Sequence, residues 1–139
     1  MEVSTKLEGL EELQNKIQRM LSVELEMKRV SEMMRSDIDQ HFLNTSSPNG
    51  RWAKPKYRVG LPLQDTGRLK SSIKKRNKSK EAEVYTNLEY AAIHNYGGNF
   101  KAWGKFDATM PKREFMWISQ KARKEIITFL KNRIMSTWK

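Results

Sequence analysis

Two histidines are the chain's natural candidates for general-base or metal work near neutral pH, and they stand far apart at positions 41 and 94. Asp37 lies four residues before His41, a spacing that sets carboxylate and imidazole side by side on a helix. One such pair falls short of the three or four ligands a zinc site uses, so it reads as a plain pair on a helix surface. His94-Asn95 resembles half of a nuclease motif, but no second suitably placed histidine accompanies it. No serine sits in a nucleophile-elbow pattern, and no glycine-rich loop leads into Lys-Ser or Lys-Thr as nucleotide hydrolysis needs. The absence of cysteine rules out disulfides and thiolate metal sites and suits a reducing compartment. Together these residues point away from an enzyme and from any cofactor.

The chemistry that is concentrated here is electrostatic. Arg68, Lys70, Lys74, Lys75, Arg76, Lys78 and Lys80 follow one another with no acid among them. Such a run contacts phosphates as point charges; with no zinc finger, recognition helix or aromatic sheet motif beside it, it has no means of reading a base sequence. The competing reading is a solvated hairpin whose lysines keep its edges from pairing with other sheets. The net charge of +11 favours polyanionic surroundings, and it is unevenly spread: residues 1–50 carry 6 basic and 9 acidic side chains, residues 51–139 carry 21 and 7. A molecule with a net of −3 in one part and +14 in the other suits head-to-tail assembly as well as nucleic-acid contact.

These residues need elements to hold them. With 139 residues and 37% hydrophobic content the chain supports one modest core, so a single domain over 1–139 is expected. Its acidic, periodic start has no apolar signal core, and no apolar run approaches the roughly 20 residues of a membrane span, which predicts a soluble, unexported protein. Leu7, Leu10, Leu13 and Ile17 recur at helical steps and predict an amphipathic helix over 5–20, with Gly9 inside it. Val23, Met27, Val30, Met34, Ile38 and Phe42 form a second stripe, with a break and a cap expected near Ser22; one bent helix over the whole stretch is the alternative. Pro48, Asn49 and Gly50 end this helical part. Residues 51–62 read as an ordered loop anchored by Trp52, a packing residue rather than a stacking platform.

Gln64-Asp65-Thr66-Gly67 stops that loop and starts a new element. Beyond a possible helical turn at Arg68, two antiparallel strands are expected at Lys70–Asn77 and Glu81–Asn87, with Ile73 and Ser71 facing inward. A short helix over Glu89–Asn95 then ends at Gly97-Gly98, which tolerate positive φ. Residues 99–114 read as a long loop carrying Phe100, Trp103 and Phe106, with an edge strand at Met110-Pro111. Ser119 caps a basic final helix with apolar residues at Ala122, Ile126, Leu130, Ile134 and Trp138. The fold class is α+β: N-terminal amphipathic helices and a C-terminal helix on a small antiparallel sheet or hairpin.

Four stretches taken in order, FLNTSSPNGRW, LPLQDTGRLKSSI, YAAIHNYGG and MPKREFMWIS, resemble the phage virion morphogenesis family of tail-completion proteins. The matching positions are Phe42, Pro48, Gly50, Trp52, Thr66, Gly67, Leu69, Ile73, Tyr90, Ala91, His94, Gly97, Gly98, Arg113 and Phe115. Asn49 stands where that family usually has Asp, and Glu114 where proline is common. The resemblance implies a non-enzymatic, cofactor-free structural protein of the tail or head-tail joint, assembled in the host cytoplasm into a hexameric ring. Its implied partners are further copies of itself, neighbouring neck or tail proteins and DNA in transit, with no membrane. A ring needs two different patches on each subunit; the acidic helices and basic remainder are one complementary pair, and Phe100, Trp103 and Phe106 are candidates for docking a neighbour. The other functional class compatible with the residues is a small cytoplasmic protein that binds nucleic acid without sequence preference.

Overall fold

A computed structural model describes residues 9–21 and 23–137. The expected break and cap at Ser22, and the stripe positions Leu7 and Trp138, lie outside the described residues. Helix α1 spans Leu10–Leu21 and α2 spans Val23–Asn44. Gly9 has φ of 86° and accepts the Leu13 amide through its carbonyl, so it stands before α1 rather than within it.

α2 is the axis of the molecule. Val30, Ile38 and Phe42 are buried along it, while Met27 and Met34 are half-buried, as the stripe requires. Its end runs into a two-residue hairpin, β1 (Ser46–Ser47) with β2 (Gly50–Arg51), turning over Pro48-Asn49. The Gln64 side-chain amide donates to the Phe42 carbonyl at 2.8 Å and satisfies an acceptor that the last turn leaves open.

Helix α3 (Arg68–Ser72) follows Gly67, and the hairpin of β3 (Lys74–Asn77) and β4 (Ala82–Tyr85) follows α3. The first expected strand thus loses its start but keeps its end at Asn77, and the second shrinks at both ends. Residues 70–72 are helical because Ser71 and Ser72 donate back to the Gly67 and Leu69 carbonyls at 2.7 and 2.6 Å. Arg35 of α2 also donates to the Lys70 and Ile73 carbonyls at 3.1 and 3.2 Å, closing the turn from outside. Ile73 is buried as expected, whereas Ser71 is exposed and it is Ser72 that faces a partner, the Thr86 hydroxyl at 2.7 Å.

After α4 (Ala91–Tyr96), the chain forms a third hairpin, β5 (Gly98–Ala102) with β6 (Phe106–Met110). The expected long loop over 99–114 is therefore mostly strand, and Met110 ends β6 instead of starting an edge strand. α5 spans Gln120–Thr137 and packs on α2 and α1, while the β3–β4 hairpin packs elsewhere along α2. Ala122 is buried but Ile134 is exposed, so the α5 stripe loses its cover toward its end. Five helices and three separate two-stranded antiparallel sheets among the described residues make an α+β arrangement. None of the described helices is long and apolar enough to cross a membrane.

Candidate assembly surfaces and the core that carries them

The buried cluster consists of Ile38, Phe42, Trp52, Leu63, Leu69, Ile73, Ala91 and Phe115, so six of the motif positions singled out in the sequence meet in one place. Phe42 lies edge-on to Trp52 with ring centroids 5.3 Å apart and tilted against Phe115 at 5.7 Å. Trp52 is a packing anchor, and its indole N–H donates to the Glu114 carbonyl at 2.9 Å.

Around this cluster residues 113–119 form a strap, irregular in backbone but bonded at almost every step. The amides of Phe115 and Met116 both donate to the Asn95 side-chain oxygen at 3.0 Å, and the Arg113 amide donates to the His94 carbonyl at 2.9 Å. The buried Arg113 guanidinium donates to the carbonyls of Ala53 and Lys54 at 2.7 and 3.2 Å. Arg113 thereby ties the strap to the 51–62 loop. Asn95, Arg35, Asp37 and Gln64 have large positioning roles that the sequence did not disclose; only the polar type of each, set among apolar neighbours, signals that a backbone group needs a partner.

His41 is buried and Asp37 half-buried beside the strap, a correction to the surface pair expected. His41 stacks on Trp117 with centroids 3.9 Å apart, and its Nε2–H donates to the Trp117 carbonyl at 2.9 Å. The Ser119 hydroxyl and amide donate to the two Asp37 oxygens at 2.6 and 2.7 Å, and the Ser119 oxygen accepts the Ala122 amide at 3.1 Å. Serine, histidine and carboxylate are thus neighbours, but the hydroxyl faces the carboxylate and caps α5 instead of facing an imidazole lone pair, which a nucleophile requires. Among the described residues no three His, Cys, Asp or Glu side chains gather closely enough to hold a metal ion.

His94 sits half-buried with its Nδ1 unpartnered, edge-on to Tyr90 at 5.8 Å. Burial, and after it the charge of Arg113, holds its pKa below the ordinary value. An unfolded His94 takes up its proton near about 6.5, so below that pH the unfolded state binds more protons than the folded one. The stability it contributes is present above about pH 6.5 and is lost as pH falls from there through the folded value. The melting temperature is expected to drop between about pH 7 and 5, and His94→Gln to lessen that drop; an identical pH profile in the variant would refute the assignment.

The basic run divides by partner. Cross-strand pairing sets Lys75 with Val84 on the face toward α2, where Lys75 meets Glu32 at 3.3 Å. Arg76 pairs with Glu83 on the other face and lies 4.7 Å from the Tyr85 ring centre, and Lys78 reaches Glu81 at 4.0 Å. Arg68, Lys70, Lys74 and Lys80 have no carboxylate partner among the described residues. The fold brings acids to the run from elsewhere in the chain, which relieves part of the repulsion that its sequence implies.

Thr66 accepts the Arg68 amide at 3.3 Å, and Gly67 has φ of 76° where α3 begins. The β5–β6 hairpin has two unlike faces. Phe100 pairs with Ala108 and Ala102 with Phe106 on one; Asn99 bonds Thr109 at 2.9 Å and Lys101 bonds Asp107 at 3.0 Å on the other. Phe106 is 63% and Trp103 at the tip 89% exposed, and the hairpin's close contacts are chiefly between its own strands. Trp103 and Gly104 both have positive φ, 50° and 69°, in the tip turn. A second apolar surface lies on α1, where Leu10, Leu13 and Ile17 remain about half exposed.

Residues 3–135 match the phage virion morphogenesis family. The chain is also similar to Mu-like prophage FluMu G protein 2 of Haemophilus influenzae, with 36% identity over 101 residues, 73% of this chain and 70% of that protein. No solved structure matches it. The chain belongs to the phage virion morphogenesis family and serves in the assembly of phage virions.

Proposed function

We propose that the chain is a structural, non-catalytic subunit that completes the tail, at its head-proximal end or at the head-tail joint, by closing into a hexameric ring. The observation that carries this reading is the uncovered hairpin. A two-stranded hairpin is marginal in water on its own, and one with an apolar face and an exposed tryptophan is stabilised when another surface covers it. The tip also holds a tryptophan in left-handed backbone, which costs about 1–3 kcal/mol and tends to persist where a contact uses it.

In the ring, the apolar face of β5–β6 from one subunit lies on the α1 surface of the next, a heterologous contact that closes around an axis. Charge favours the same order, since the acidic surplus lies in residues 1–50 and the hairpin in the basic remainder. The flanking neck and tail proteins meet the two sides of the ring, and DNA passes it with weak contacts to the unpaired cations of 68–80. Light scattering on the purified chain is expected to give a mass near six chains, and Trp103→Glu with Phe106→Glu to give one chain that stays folded but melts at a lower temperature, because the interface no longer adds to its stability. A ring that survives both substitutions removes the hairpin from the interface.

A further inference from the structure

Four cations, Arg51 at the end of β2 and Lys54, Lys56 and Arg58 in the loop that follows it, stand with no acid from residue 51 to 64. Unlike Lys75, Arg76 and Lys78, none has a carboxylate partner among the described residues. The loop is held at its root: Trp52 is buried, and Arg113 grips the carbonyls of Ala53 and Lys54. Beyond the root it projects outward, with Tyr57 90% and Val59 fully exposed. Arg58 folds onto the Leu61 carbonyl at 2.8 Å, and the Lys56 ammonium lies 5.3 Å from the Tyr57 ring centre. A positive charge already presses on this loop from behind, because Arg58 and Arg113 repel each other enough to add to the lowering of the Arg113 pKa that burial causes. An anion at the loop relieves that repulsion.

We infer that the 51–58 loop is a phosphate-backbone contact for nucleic acid, with Lys54, Lys56 and Arg58 as its charges and Tyr57 as an exposed ring beside them. A rigidly rooted loop presents unneutralised cations at lower conformational cost than a free tail, and lysine and arginine charges without carboxylate partners are free to displace the counterions of a phosphate chain. The inference rests on the reading that DNA passes the assembled protein, and it moves the main contact from the 68–80 stretch, where three of the seven cations are already paired.

The test uses the full chain and a mixed-sequence DNA duplex, with affinity measured from about 50 to 200 mM salt. One variant carries Lys54→Gln, Lys56→Gln and Arg58→Gln; a comparison variant carries Arg68→Gln, Lys74→Gln and Lys80→Gln. Each lost phosphate contact flattens the logarithmic salt slope by about 0.9, so the loop variant is expected to lose about 2.7 and the hairpin variant much less. A double variant without Arg58→Gln leaves the Arg58 bonds to the loop intact and is expected to lose about 1.8. If the hairpin variant flattens the slope and both loop variants do not, DNA contact stands and the loop assignment is wrong. If the wild-type protein shows no salt-dependent binding, the DNA reading and this inference fall together. A loop variant that changes the oligomeric mass but not DNA binding overturns the inference in favour of an acidic neighbouring subunit.

Discussion

Asn95→Leu is expected to lower the unfolding free energy by roughly 2–6 kcal/mol, because it strands the buried Phe115 amide and the partly buried Met116 amide at about 1–3 kcal/mol each, the second toward the lower end. The Asn95 side chain is 5% exposed and its one oxygen receives both the Phe115 and the Met116 N–H. Leucine matches its size but offers no acceptor. Against the roughly 5–15 kcal/mol that holds a domain of ordinary stability, the loss is large. Urea denaturation measures it as a lower midpoint at unchanged slope. Asn95→Asp keeps an acceptor and is expected to lose less; a leucine variant within about 1 kcal/mol of wild type shows the strap amides are satisfied some other way.

Gly97→Val is expected to cost a comparable roughly 2–6 kcal/mol, from two sources. Gly97 has φ of 69° and ψ of −176°, a combination essentially confined to glycine. A Cβ there would stand 2.8 Å from the Lys112 nitrogen and 3.0 Å from the Met110 carbonyl oxygen, and both are backbone atoms that cannot swing aside. At about 2–4 °C per kcal/mol the melting temperature falls by roughly 4–24 °C. Gly67 supplies the control: its φ of 76° is strained for other residues, but nothing lies within 4 Å of its Cβ position. Gly67→Ala is expected to lose only about 1–2 kcal/mol, and equal losses at the two sites would mean that the close approach to Lys112 carries no weight.

How far the sequence disclosed this structure depended on whether the controlling interaction was local. The α2 stripe, the turn at Pro48-Asn49-Gly50, the start of α3 after Gly67 and the cap at Ser119 all depend on neighbours within about four residues, and all were legible. The β5–β6 hairpin was not, because its tip is Trp103-Gly104 where Asn-Gly or Asp-Gly is the usual signal, and aromatics three apart gave no strand period. Its alternation becomes visible only once Phe100 is set against Ala108 and Lys101 against Asp107. The strap failed for a different reason. Residues 113–119 have no period of their own, and their partners Asn95, Trp52, His41 and Asp37 lie far away in the chain. The motif positions were recognised as a group, but their convergence on one core required coordinates.

The strap also bears on synthesis. The Ser119 bonds to Asp37 span 82 positions and the His41 bond to Trp117 spans 76. At about 5–20 residues added per second, Asp37 waits roughly 4–16 s on the ribosome for the serine that satisfies it. During that interval α2 and the local hairpins form and reopen on far shorter timescales, of about microseconds to tens of microseconds, while Phe42 and Trp52 still lack Phe115. The nascent chain is therefore a set of local pieces whose central layer stays unclosed until residues 113–119 emerge. The β5–β6 hairpin precedes the strap in the chain but follows α4, whose Asn95 oxygen and His94 carbonyl wait for the strap amides even though Ala91 already faces the core. A subunit interface borne on it takes its final orientation only after the strap has seated, so translation itself orders folding ahead of assembly.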